Sequence, residues 1–244
     1  MMKRDNNNPL MLWIDTLPRE WKTCRIDTVA DVMFSNVDKH SHEHEVDVRL
    51  CNYVDVYKND TITSSIEFME ATAEDREIEK FQLKVGDVLV TKDSEEPTDI
   101  AIPALVVEDL PGVICGYHLA MIRPRSNKIT GAFLAWLHRS KPFRAQYEAV
   151  AVGVTRFGLS QYAFRSAIIP LPPIEEQICI NQFLDRSCAT IDAVVSASRL
   201  KNDFLSSKGI LNQQMKALVS YRSSLIYECV TGQRRVTEAD LQKV

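Results

Sequence analysis

The chain has 244 residues, 45% apolar and 25% charged, with a formal net charge of -4. This is an ordinary globular composition, long enough for one sizeable core with an accessory element. No apolar run reaches membrane-spanning length and the start, MMKRDNNNPL, lacks the apolar stretch of a secretion signal, so a cytoplasmic location without membrane contact is expected.

Taken in order, Leu12 to Val29 carries the apolar anchors Trp13, Leu17, Trp21 and Ile26 around a turn at Pro18, and reads as a docking segment followed by a short helix or strand. Val32 to Ser41 is polar and loop-like. His40, His42 and His44 alternate with Ser41, Glu43 and Glu45, which on a strand would put three imidazoles on one face. No fourth ligand or supporting shell accompanies them, so an exposed loop or strand edge is expected and no metal site is assigned. Val46 to Tyr57 predicts the first strand region. Ser64 to Lys80 is acidic and predicts a helix, with Ser64 and Glu67 spaced as a capping box.

Val85-Gly86-Asp87 predicts a tight turn before an apolar strand, Val88 to Val90, that ends on Thr91, Lys92 and Asp93. Ile100 to Val107 and Gly112 to Ile122 predict two further strands. Gly131 to Ser140 has helical spacing, with Phe133, Leu134 and Leu137 on one side, and Phe143 to Val150 continues it beyond Pro142. Ala151 to Ser160 is turn-rich, Gly153 and Gly158 bracketing Thr155 and Arg156.

The stretch Ile168 to Gln177, IIPLPPIEEQ, divides the chain. Pro170, Pro172 and Pro173 hold the backbone extended. Pro173 then suits a first helical turn, with Glu175 and Glu176 at the electropositive helix start. A short helix, Ile174 to Leu184, and a long one, about Thr190 to Val230, are predicted. In the long helix Phe204, Leu211, Met215, Leu218, Leu225 and Cys229 follow heptad steps, while Ile191, Val194 and Leu205 keep another phase. Gly209 interrupts the seam. Such a helix would be about 60 Å long, and a partner helix is the expected cover for its stripe. The fold class expected is α+β: a mixed domain over 1–170, a helical dimerisation or spacer region over 171–233, and a flexible tail over 234–244.

Charge is unevenly spread. Asp27 to Cys115 holds 7 basic and 21 acidic residues, net -14, whereas Leu110 to Pro170 holds 8 basic residues and one acid, net +7. The overlap contains no charged residue. A basic surface is the usual footprint of a nucleic-acid binder. The six cysteines form no CxxC pair, as expected of reduced thiols rather than of a zinc site or disulfide framework.

Enzyme motifs are missing: no Walker loop, no GxGxxG after a strand, no GxSxG, no HExxH. LPPI has the prolines of the Asn/Asp-Pro-Pro-aromatic motif of amino-methyltransferases, but Leu171 has no amide or carboxylate for a base amino group and Ile174 cannot stack. No catalytic residue is assigned. Recognition remains: Lys92 at a strand end, His118, Arg123, Arg125, and Thr155 with Arg156 are candidates to approach nucleic acid, Tyr53 and Tyr57 with them. Arginine donates in a fork to guanine, while lysine, threonine and backbone amides hold phosphates.

IPLPPIEEQ leading into a helix, FLDRSCATIDAVV after it and YRSSLIYECVTGQ at the close together resemble the specificity subunits of type I restriction–modification systems. LPREWK, VGDVLVTKD, GYHLAMIRP and GVTRFGLS resemble their target recognition domains. Members of that family usually carry two such domains, each followed by a long helix, and the paired helices act as a spacer between two half-sites. One domain and one helical region here resemble a half-length member. The resemblance implies a non-catalytic subunit that reads one half of a bipartite double-stranded DNA site. It implies partner modification subunits that bind S-adenosylmethionine and methylate adenine, a restriction subunit for cleavage, and a homodimer through Ile191, Val194, Leu205, Leu211, Met215, Leu218 and Leu225. A different class of function stays open: a helical adaptor or remnant that assembles partners without reading DNA.

Overall fold

A computed structural model describes residues 9–125, 127–204 and 208–242. In chain order the first elements are β1 (Lys22–Arg25), β2 (Ala30–Phe34), β3 (Val46–Cys51), α1 (Tyr53–Lys58), β4 (Thr61–Ile62) and β5 (Met69–Ala73). They continue with α2 (Asp75–Phe81), β6 (Val88–Thr91), β7 (Asp93–Ser94), β8 (Pro103–Val106), β9 (Val113–Cys115) and β10 (Leu119–Pro124). Then follow α3 (Gly131–Arg139), α4 (Lys141–Glu148), β11 (Phe157–Gly158), α5 (Gln161–Ser166) and β12 (Ile168–Leu171). The chain closes with α6 (Ile174–Phe204), α7 (Lys208–Val230) and α8 (Glu238–Leu241).

The apolar runs around Val88 and Leu119 build the centre. β6 and β10 pair antiparallel, Val88 opposite Ile122 and Thr91 opposite Leu119, in a five-stranded sheet ordered β2-β10-β6-β8-β4. Their side chains alternate between two cores. Val88, Val90, Ala120 and Ile122 meet Trp21, Phe133, Trp136 and Phe164 on the helical side. Leu89, Leu119 and Met121 meet Val48, Leu50, Phe81 and Ile114 on the other, under the three-stranded sheet β5-β3-β9. Burial on both faces explains why these strands read as continuous apolar runs. The result is the expected α+β domain: a five-stranded and a three-stranded sheet with two two-stranded pairs, β1-β12 and β7-β11, a layer of helices, and a helical arm.

Pairing partners correct three local expectations. The strand from Val46 stops at Cys51, because Asn52 and Asp55 form a capping box that opens α1. Most of the acidic stretch expected as a helix is not helical: Met69–Ala73 is β5, held by β3 from Val46↔Ala73 to Leu50↔Met69, and the helix starts only at Asp75 with Glu74 and Glu77 as its capping box. Ladder formation there overrides the helical propensity of Glu and Ala. The strand expected over Gly112 to Ile122 is two, since β9 pairs with β3 while β10 pairs with β6 and β2.

The proline-rich lead is extended, as its residues dictate. It is β12, antiparallel to β1 with Lys22 opposite Leu171 and Arg25 opposite Ile168. Gln177, fully buried, locks the helix start: its amide donates to Lys128 and Pro172 carbonyls and its oxygen accepts from Thr130 N–H. Trp21 Nε1 donates to Glu176 at 2.8 Å, and Arg235 ion-pairs with both Glu176 and Glu20. The stretch expected as a tail thus returns to the domain, with Val236 buried and α8 beyond it.

The helical region departs most from expectation. No break follows Leu184: α6 is one helix of 31 residues, about 46 Å at the standard rise. The long helix expected to Val230 is instead a hairpin, α7 returning antiparallel along α6. Arg222 Nε meets Asp192 at 3.0 Å, while Val195 and Arg199 share a groove with Met215, Lys216 and Val219. The apolar positions of the pattern therefore divide between two helices that cover each other, Ile191, Val194 and Phe204 in α6 and Leu211 to Cys229 in α7. Gly209, the poor helix former, stands in the first turn of α7. Ile191 and Leu225 are buried between arm and domain, Leu218 packs partly against that core, and Met215 is half-buried. Val194 stays 47% exposed. Leu205 and the side chain of Leu211 lie outside the described residues.

Candidate nucleic-acid interface

The charge contrast resolves into ion pairs. Of the basic segment, Arg123 grips Asp87, Arg125 pairs with Asp31, Arg139 donates to the Asp60 carbonyl, and Arg156 pairs with Asp93. All four acidic residues lie in the acidic segment, so half of the eight basic residues of the later window are paired with it within the fold.

Arg123 and Arg125 consequently sit apart from the other candidates, at the far end of β10 from His118. Arg123 donates through Nε (2.8 Å) and Nη2 (2.7 Å) to buried Asp87, and through Nη2 to the Gln82 carbonyl. The hydrogen bond to Asp87 holds its charge more firmly than usual. Arg125 binds Asp31 at 2.6 Å and the Thr28 carbonyl. Both hold the β10 end to its neighbours.

The remaining candidates converge at the opposite end of the central sheet. Lys92 leaves β6 with its N–H on the His118 carbonyl, and its own carbonyl accepts from Leu159 N–H at 2.8 Å. β7 then pairs with β11, Asp93 opposite Gly158, which draws the loop 152–158 across this end. Mutual hydrogen bonds between Val152 and Gly158 close that loop, and Gly153 lies so near the Arg156 carbonyl that a Cβ would come within 2.0 Å of it. The loop displays Val152, Val154, Thr155 and Arg156 to solvent; Val154 is 92% exposed.

Lys92 Nζ lies 4.4 Å from the Tyr117 ring centroid and 5.0 Å from that of Phe34, between two π-faces. Burial lowers its pKa, opposed by Asp93. Asp93 gathers the cations: Oδ1 accepts from Arg156 Nε (3.1 Å) and Nη2 (2.5 Å), and Oδ2 contacts His118 Nδ1 at 2.8 Å. Beside it Tyr53 stacks on Tyr57 with centroids 5.6 Å apart, and Tyr57 donates to Asp99 at 2.6 Å. Partial burial raises the Tyr53 pKa, with Asp93, Asp99 and Arg156 within electrostatic reach.

Lys92, His118, Thr155, Arg156 and Tyr53 are thus brought together, and Asp93, Tyr117, Phe34 and Tyr57 join them. Asp93 escapes a sequence reading because its link to Arg156 depends on a two-residue strand pairing. Tyr57, a candidate alongside Tyr53 from the sequence, stacks on it because the two stand four residues apart on α1 rather than on a strand. Among the described residues no group of His, Cys, Asp and Glu is arranged to hold a metal ion, and His40 pairs with Asp38 at 3.2 Å. No described helix is long and apolar enough to cross a membrane.

Cations, hydroxyls and π-faces cluster at one end of the domain, the set of groups a recognition module uses. Residues 18–195 match the family model of the type I restriction modification DNA specificity domain, and the chain belongs to that family. It is 20% identical over 219 residues to the putative type I restriction enzyme MjaX specificity subunit of Methanocaldococcus jannaschii, a match covering 89% of this chain and 47% of that protein. The fold is similar to the HsdS subunit from Thermoanaerobacter tengcongensis (TM-score 0.55, 22% identity, 77% of this chain and 46% of that one). It is similar also to a chain from a solved type I R-M system (TM-score 0.53, 17% identity, 89% and 47%). The chain spans about half the length of these relatives.

Proposed function

We propose that this chain is a non-catalytic DNA-recognition subunit of a type I restriction–modification methyltransferase complex, and that it reads one half of a bipartite site. The observation that carries the proposal is the convergence of Lys92, His118, Thr155, Arg156 and Tyr53 at one end of a domain of the DNA specificity family. Arginine and histidine read base edges, while lysine and threonine hold phosphates. Modification subunits would supply S-adenosylmethionine and the adenine chemistry, which requires a flipped base, and a restriction subunit would supply cleavage. All would work in the cytoplasm.

The relatives' double length supports a second half-unit, either another copy or a different half-length chain. α6 and α7 already cover each other, so the partner would meet the outward face of the hairpin. Val194, Val219 and Tyr221 are exposed there, and the groove beside Val195 and Met215 has a volume of about 490 Å³. Two identical halves would be related by a twofold axis and would read a palindromic split site.

A map of N6-methyladenine across the host chromosome, with and without the gene, tests this. Loss of a split palindromic motif is the expected result. Loss of an asymmetric motif would keep the reading role and replace the second copy with a different partner. An unchanged map, with gene and modification partner expressed, would overturn DNA reading and favour the adaptor role. That role draws on the internal pairing of the basic residues.

A further inference from the structure

We infer that Asp93 is the positioning residue that sets sequence discrimination at this surface; the inference rests on the DNA-reading function proposed above. A carboxylate at a surface meant for a polyanion opposes binding through Coulomb repulsion with each phosphate. Asp93 nevertheless sits at the centre of the cluster, its side chain only 16% exposed, and it engages both Arg156 and His118, whose side chains are the more exposed. Its placement is built in by the pairing of β7 with β11.

The geometry gives that carboxylate a task. Arg156 spends Nε and Nη2 on Oδ1, which fixes the guanidinium plane and leaves Nη1 without a partner among the described residues. An ionised carboxylate accepts only, so His118 must carry a proton on Nδ1. Nε2 is thereby turned away from Asp93, and it has no partner among the described residues. Asp93 therefore fixes the directions in which Arg156 Nη1 and His118 Nε2 present themselves. Groups with a fixed direction can tell base edges apart, whereas freely turning ones respond mainly to phosphate charge. The carboxylate gives up general affinity and gains selectivity.

The test uses the full chain with its modification subunits. Duplexes are selected from a random pool, and affinity for selected and scrambled duplexes is then measured over a range of salt. Asp93→Asn is expected to bind scrambled duplex more tightly at low salt, with a salt slope steeper by about one phosphate contact. The ratio of selected to scrambled affinity should fall about tenfold or more, within the range a bidentate base contact carries. Adding Asp93→Asn to an Arg156→Ala/His118→Ala double variant should change that ratio little, because the groups it positions are gone.

A ratio unchanged in Asp93→Asn would overturn the inference, as would an equal further loss in the double-variant background. If Asp93→Asn unfolds, Asp93→Glu replaces it. The longer carboxylate keeps the charge and displaces the fork, so the inference requires altered selectivity with an unchanged salt slope. A wild-type complex without sequence preference would overturn the DNA-reading function itself.

Discussion

Arg123→Ala separates holding the fold from reading DNA. Asp87 is buried, and its carboxylate receives Nε and Nη2 of Arg123 together with Lys84 N–H at 2.9 Å. Removing the guanidinium leaves an uncompensated buried charge and an unmet Gln82 carbonyl, a loss that costs roughly 3–5 kcal/mol for fully buried pairs. Arg123 is 22% exposed and the Lys84 amide remains, so the low end applies: about 3 kcal/mol. For a chain of this size that corresponds to a melting temperature lower by roughly 6–12 °C. Urea unfolding followed by circular dichroism measures it, with an unchanged m-value as the check that the denatured state is not altered. The pair variant Asp87→Leu/Arg123→Met should recover much of the loss, because apolar groups can replace a buried ion pair. A loss below about 1 kcal/mol, or a change of DNA preference at unchanged stability, would refute this account and return Arg123 to the reading surface.

Four further predictions follow from single residues. His138 is fully buried, its Nδ1 on the Leu134 carbonyl and its Nε2 on the Tyr147 hydroxyl, and burial pushes its pKa down to about 4. The folded chain thus binds fewer protons than the unfolded one. Its contribution is whole above the unfolded value near 6.5 and lost as pH falls toward 4, about 3 kcal/mol across that window, a slope that His138→Gln should flatten in urea titrations at several pH values. Gly131→Ala places a Cβ 2.0 Å from the Gly86 carbonyl, where Gly86 itself holds φ +91°, so the turn before β6 and the start of α3 must separate; a melt should show loss of at least ~2 kcal/mol. Leu225→Ala opens a cavity between hairpin and domain and should cost about 3 kcal/mol. Val194→Ala should leave the isolated chain's stability unchanged while weakening any concentration-dependent pairing seen by analytical ultracentrifugation.

The legible parts of this chain are those where local chemistry and tertiary contact agree. Pro170, Pro172 and Pro173 hold the lead extended up to the helix start, and β12 followed by α6 results. Gly131 to Ser140 carries an apolar stripe together with Thr130 as its cap, and α3 follows. Met69 to Ala73 misleads because Glu and Ala favour a helix while β3 offers a ladder 23 residues upstream. The hairpin misleads for a related reason. A heptad seam specifies that a stripe is covered but leaves open by which chain, and the shift of phase between Val194 and Leu211 is the trace of a reversal. Residue type singles out Lys92, His118, Thr155, Arg156 and Tyr53 as candidates, and the fold brings them to one end of the domain. Residue type does not show that Arg123 lies apart from them, since its acidic partner is 36 residues away and is joined to it only by the sheet.

The entry and exit of the folded unit meet. Gly232, at φ +71°, lies against Pro18 and Trp21 so closely that a Cβ there would come 2.4 Å from the Pro18 ring, and Arg235 bridges to Glu20. A polypeptide therefore passes the same spot on its way into the domain and on its way out, with the candidate interface and the whole hairpin contained in the loop between. Such a unit is portable. It can be repeated in tandem, inserted into a host chain, or cut and rejoined in a new segment order with no spanning linker. Duplicating or exchanging the unit then requires new joints only near where Pro18 faces Gly232, placed so that the buried Trp13 and Val236 travel with it.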